Sequence, residues 1–225
     1  MTKEQFNSLI IASDTIYTNI FGVLNEENLN DLYENYVRKN LLFENYFSRL
    51  VEIKFLAIAE ASTEINSTYF YSTIALNNTP WFSVPLQRFS ANNPFFGNKT
   101  EQNKSNALNN LSTEGFLLVD ISPAAFAIVG INRNQRRFKK LINFLLEKYF
   151  FEYVIPTISL KISEDAKYIL MGTMVTDRIV YDFVLNEKKS IINLKDSGVF
   201  EGFERYSMSS ACATNGPILR FLIAH

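Results

Sequence analysis

The residues of this chain best suited to chemistry are acidic and hydroxyl side chains at the ends of apolar runs. One run, Val51-Glu52-Ile53-Lys54-Phe55-Leu56-Ala57-Ile58-Ala59, stops at Glu60-Ala61-Ser62-Thr63-Glu64. A second, Glu114-Gly115-Phe116-Leu117-Leu118-Val119, stops at Asp120-Ile121-Ser122-Pro123. A third stretch, Arg205 to Pro217, holds Ser209, Ser210 and Asn215 in a small polar loop. Near-continuous apolar runs of this length fit buried parallel strands. Ligands of open α/β sheets bind beyond the carboxyl ends of such strands. A carboxylate placed there can position or activate water, and the hydroxyls and the amide can hold a polar ligand. Each acid also has a plainer reading: Glu60 as a surface acid at a strand end, Asp120 as a capping or turn carboxylate.

Other chemistries lack their residues. The single cysteine, Cys212, rules out an internal disulfide, and the only histidine, His225, reads as a tail residue. A Cys/His metal site is therefore not expected. The chain has no Walker loop, dinucleotide fingerprint or nucleophile elbow, so no cofactor is expected. A formal net charge of −1 excludes a globally basic, DNA-coating protein, but charge distribution still matters. Five basic residues fall within eight positions: Arg133, Arg136, Arg137, Lys139 and Lys140. They form either a solvated helix face or a phosphate-contacting patch.

The elements that must position these groups follow from hydrophobic spacing. Phe6, Leu9, Ile10, Ile16, Ile20, Phe21 and Leu24 predict a helix over 3–24. Asn25 is a candidate N-cap for a second helix, whose apolar stripe runs from Leu29 to Leu50. After the first strand come Tyr69-Phe70-Tyr71 and a long irregular region, 77–112, with Pro80, Pro85, Pro94 and many Asn. Loops of that length are usually functional or mobile. A helix carried by Leu141, Phe144, Leu145 and Tyr149 follows the basic cluster. A strand interrupted at Pro156 is expected over 154–162, another over 166–172, and helices after Gly172 and Pro217. Strands alternating with helices predict an α/β fold: a central, largely parallel sheet flanked by helices. At 225 residues it is read as a single domain, 1–225, with N-terminal helices over 1–50 as a cover and the core over 51–225.

The order of these features resembles the uracil-DNA glycosylase-like superfamily, whose first motif ends a strand as Gly-Gln-Asp-Pro-Tyr or Gly-Glu-Ala-Pro-Gly. Ala59-Glu60-Ala61-Ser62-Thr63 stands in that place, closest to the second form. The family's base-stacking aromatic corresponds to Tyr69, Phe70 or Tyr71. Its Leu-Leu-Asn, whose Asn reads the base edge, corresponds to Leu117-Leu118-Val119-Asp120. Its closing His-Pro-Ser loop corresponds to 207–217, here without histidine. The resemblance covers roughly 51–220 and implies a uracil-DNA glycosylase-like core that removes a flipped base.

Asp120 narrows the implied base. Ionised Asp only accepts hydrogen bonds, whereas Asn both donates and accepts. Uracil offers an oxygen at its 4-position and cytosine an amine. The expected substrate is therefore duplex DNA carrying a modified cytosine. Superfamily members that act in phage defence remove glucosylated hydroxymethylcytosine. In the implied mechanism the base flips out and one of Tyr69, Phe70 and Tyr71 stacks on it, unless these rings serve only as core. Asp120 reads the amine, with Ser62 beside it. Glu60, or Glu64 in reserve, positions water or stabilises positive charge on the sugar. Arg133, Arg136, Arg137, Lys139, Lys140, Ser209, Ser210 and Asn215 hold the DNA. The other readings are a catalytically inactive DNA-binding or interaction module on the same fold, and an α/β protein unrelated to DNA. A monomeric, cytoplasmic protein without nucleotide cofactor or membrane contact is expected, since no run approaches the roughly 18 apolar residues of a membrane span.

Overall fold

The computed structural model describes residues 1–61, 69–76, 98–128, 131–170, 179 and 203–204. Two helices come first, α1 (Lys3–Ile16) and α2 (Glu26–Phe47). Strand β1 (Ile53–Ala59) follows, then α3 (Glu101–Thr113) and β2 (Phe116–Asp120). The next helix starts as α4 (Arg136–Leu145), widens to a π-helix over Leu146–Val154, and closes through Ile155–Ile158 and a 3-10 turn, Ser159–Lys161. It leads into β3 (Ile162–Leu170), and β4 (Phe203–Glu204) completes the described strands. The sheet order is β2-β1-β3-β4, with every pairing parallel. The α/β class and the parallel sheet are those expected from the apolar runs.

Local chemistry explains the boundaries. Thr2 and Gln5 form a reciprocal capping box at α1. Helix α1 ends at Ile16, short of the expected 3–24. Asn19 takes a left-handed conformation, φ 60°, and Gly22 takes φ 89°, which breaks the helix into a turn. Ile20 and Phe21 are buried from that turn, which is why their spacing mimics a longer helix. Asn25 does cap α2, accepting from the Asn28 amide at 2.8 Å. At the start of β2, Gly115 has φ 77°, and an added Cβ would sit 2.9 Å from the Glu52 carbonyl oxygen. That position therefore requires glycine.

Two other expectations are corrected. The irregular region expected over 77–112 contains α3 from Glu101 onward. Thr100 caps it by accepting from the Asn103 amide, and Ala107, Leu108 and Leu111 bury one face. Four Asn residues in this helix lower its propensity and hid it. The strand expected over 154–162 is helical up to Lys161. Pro156 would crowd the carbonyl four residues back in an α-helix, and the wider π turns before it leave room. The Ile155 amide accordingly donates to Phe150, five residues back.

The core joins both sides of the sheet. One buried cluster takes in Leu56, Ile58 and Leu117, Phe116 on the opposite face of the sheet, Phe138, Leu141, Leu145 and Phe150 of the long helix, and Tyr46 and Phe70. Helix α2 is tied to β2 by the Tyr46 hydroxyl, which donates to the Phe116 carbonyl at 2.6 Å. Among the described residues no helix is long and apolar enough to cross a membrane.

Candidate functional site

Strands β1 and β2 bring their acidic ends side by side. Ala59 pairs with Asp120 in register, and the Ile121 amide donates to the Ala59 carbonyl at 2.9 Å. Successive side chains of a strand point to opposite faces, so Asp120 shares a face with Ala59. Glu60, one residue later, is in phase with Leu56 and Ile58 on the other face. The two carboxyl groups are thus neighbours at the sheet's carboxyl end but enter different surroundings.

Glu60 is buried and held by Arg133. The Arg133 Nε lies 3.0 and 3.1 Å from the two carboxylate oxygens, and an Nη lies 3.0 Å from Oε1. Such fork-shaped pairing fixes direction as well as charge. The Arg133 guanidinium also lies 5.8 Å from the Phe138 ring centroid, so the first turn of α4 sets its position. One member of the basic cluster therefore serves the acid at the neighbouring strand tip.

The rest of that cluster is exposed on α4. Arg136, Lys139 and Lys140 project to solvent, and Arg137 stacks on Tyr17 at 4.2 Å while donating to the Gln135 side chain. The first turn of α4 has no acidic residue and no side-chain cap. Its positive end therefore coincides with the basic cluster, adding potential that favours anions.

Asp120 opens instead into a cleft of about 200 Å³ beside β2, the edge strand among the described residues. Its walls come from α2, the Tyr69–Tyr71 turn and the π-helical stretch. Crowding by protein pushes the Asp120 carboxyl up from 3.8 to about 7, partly offset by the Lys39 ammonium. Lys39 is only 6% exposed, and its ammonium lies 5.9 Å from the Tyr69 ring centroid. Burial raises the Tyr149 phenol well above its usual range, with the Asp120 charge contributing. Tyr149 and Tyr153 stack on one another at 6.3 Å along the π-helix, an irregularity often found at functional sites.

The three aromatics after β1 are buried and engaged. Tyr71 donates to the Leu118 carbonyl at 2.6 Å and accepts from the Leu118 amide at 2.8 Å. Tyr69 donates to the Lys39 carbonyl at 3.2 Å, and Phe70 packs on Phe116. Their rings and hydroxyls complete the edge of β2 and anchor α2. Ser122 is fully buried, with its hydroxyl donating to the Ala124 carbonyl at 2.8 Å. Ser62, Glu64, Ser209, Ser210, Asn215, Cys212 and His225 lie outside the described residues, as do 77–97 and the helices expected after Gly172 and Pro217.

Sequence reasoning passed over Lys39, Tyr149 and Tyr153. Lys39 stood in phase with Tyr36, Phe43 and Tyr46, at offsets that belong to the buried stripe of α2. A lysine within such a stripe is the signal that could have found it, because lysine is almost never fully buried unless paired. No family model matches this chain, and neither the curated proteins nor the solved structures give a match.

Proposed function

We propose that this protein is a DNA glycosylase that hydrolyses the N-glycosidic bond of a flipped, modified cytosine, glucosylated hydroxymethylcytosine included, in defence against phage. The observation that carries the reading is the pairing of Ala59 with Asp120, which sets two carboxyl groups on adjacent strand tips. Its uracil-DNA glycosylase-like character rests on the motif order in the sequence, with the N-terminal helices covering the core. Asp120 faces a cleft small enough to select a single ring, and its ionised form accepts from an exocyclic amine. On this reading Glu60, at the neighbouring strand tip, positions water or stabilises positive charge on the sugar. The exposed cations of α4 take the flanking phosphates, a contact that makes affinity fall steeply with salt.

The test uses duplexes containing uracil, hydroxymethylcytosine or its glucosylated form, followed by assay for abasic sites. Cleavage of a modified cytosine, with Glu60→Gln lowering turnover far more than binding, supports the reading. Products from uracil alone would remove the argument from Asp120.

The Glu60–Arg133 pair favours a second reading. Both oxygens of this buried carboxylate are engaged by the Arg133 guanidinium, which gives it a structural role. On that reading the chain is a catalytically silent DNA-binding or interaction module. It binds duplex DNA in a salt-dependent manner and yields no abasic product from any base.

A further inference from the structure

We propose that Lys39 of α2 is a base-reading residue which, together with Asp120, takes the amine-bearing edge of a flipped pyrimidine in the cleft beside β2. The inference rests on the glycosylase reading for the identity of its ligand and adds a recognition group from outside the predicted core. Lys39 sits in the buried stripe of α2, and Lys39 and Asp120 both line the cleft beside β2. An ammonium offers donors only and a carboxylate acceptors only. Lining one cleft, they offer it an acceptor and a donor. A cytosine-type ring presents the complement, an exocyclic amine next to an accepting ring nitrogen. Uracil places an oxygen where the amine would be, facing the carboxylate.

The cleft's size agrees with that ligand. About 200 Å³ falls below the roughly 300–1,000 Å³ of sites that enclose drug-sized molecules. A single heteroaromatic ring enters, and the deoxyribose, the phosphates and any glucosyl substituent stay outside. Tyr36, Tyr149 and Tyr153 supply aromatic surface around the ring, and base–aromatic contact is tolerant of ring substituents. The Tyr69 hydroxyl, bonded to the Lys39 carbonyl, holds this turn of α2 against the strand end.

The experiment titrates the full chain with cytidine, 5-hydroxymethylcytidine and uridine, observed by NMR and calorimetry, for wild type, Lys39→Met, Lys39→Arg and Asp120→Asn. Cytidine-type nucleosides are expected to bind at least tenfold tighter than uridine. Lys39→Met should lose tenfold or more of that affinity, and Lys39→Arg should recover part of it. Equal binding of uridine, unchanged binding by Lys39→Met, or no nucleoside binding overturns the proposal. If Lys39→Met does not fold, the wild-type spectrum decides. Shifts centred on the Lys39, Asp120 and Tyr153 amides uphold the site, and shifts confined elsewhere overturn it. Nucleoside binding without abasic product from any duplex keeps this site and removes the glycosylase reading. Glycosylase activity with the same base preference and KM in Lys39→Met does the reverse.

Discussion

Tyr71 satisfies the outer side of β2 at Leu118: its hydroxyl donates to the Leu118 carbonyl at 2.6 Å and accepts from the Leu118 amide at 2.8 Å. Tyr46 does the same for the Phe116 carbonyl. Unpaired backbone groups on an outer strand are a liability for a sheet, and among the described residues two buried phenols take up those of Phe116 and Leu118. Tyr71→Phe leaves the Leu118 amide and carbonyl without that partner. The expected loss is about 1–3 kcal/mol, the cost of unsatisfied buried polar groups, read as a lower midpoint in urea. A change within error would mean that water or another side chain takes over the edge.

Arg133→Ala tests the pair at the β1 tip. Exposed ion pairs contribute roughly 0–1 kcal/mol, and breaking a fully buried one costs about 3–5 kcal/mol. Glu60 is buried while the Arg133 side chain is 34% exposed. A loss of about 2–3 kcal/mol is expected, between those limits. Arg133→Ala with Glu60→Gln should recover part of it, because no uncompensated carboxylate then stays buried. Denaturation of the two single variants and the double variant measures the coupling.

The Asp120 carboxyl, raised from 3.8 to about 7 by burial, gives stability a defined pH slope. Between those values the folded chain holds a proton that the unfolded chain has released. Stability from this group is therefore full below about pH 4 and is lost as pH rises to about 7. Asp120→Asn removes the slope. Urea midpoints at pH 5 and 8 for both proteins check it, and the wild type should fall more than the variant. Binding of an exocyclic amine moves the opposite way, strengthening as Asp120 ionises through pH 7.

Lys104 of α3 produces the reverse slope in a higher window. It is 1% exposed, and its ammonium donates to the Tyr69 and Ala75 carbonyls at 3.3 and 2.5 Å. Burial pulls it down from 10.5 to about 7. From about pH 7 toward 10.5 the unfolded chain holds the extra proton, so stability rises with pH across that range. Lys104→Met should flatten the rise, measured as the difference between variant and wild type at pH 7 and 9. An identical rise in the variant would assign it to other groups.

Much of the scaffold was readable from residue order. The apolar runs that became β1 and β2 end where the acids begin, and Asn25 caps the helix it precedes. Tyr149 and Phe144 were assigned to the right helix, although nothing in their spacing announces its π-helical middle. Helix α3 is not legible in the sequence, because its Asn residues weaken the local signal while burial of Ala107, Leu108 and Leu111 sustains it. In the 154–162 segment Pro156 suggests an interrupted strand, and only the widened coil before it makes a proline helix tolerable.

The sequence by itself determined that two parallel strands end in carboxylates, since the period of burial and the polar breaks are local properties of the chain. Which groups meet those carboxylates was decided by tertiary structure. Arg133 stands 73 positions from Glu60, and Lys39 belongs to a helix before the sheet begins. Register sets Ala59 against Asp120, and the two-residue alternation then sends Glu60 and Asp120 to different faces. That division depends on how the strands align, and no single stretch of residues encodes it.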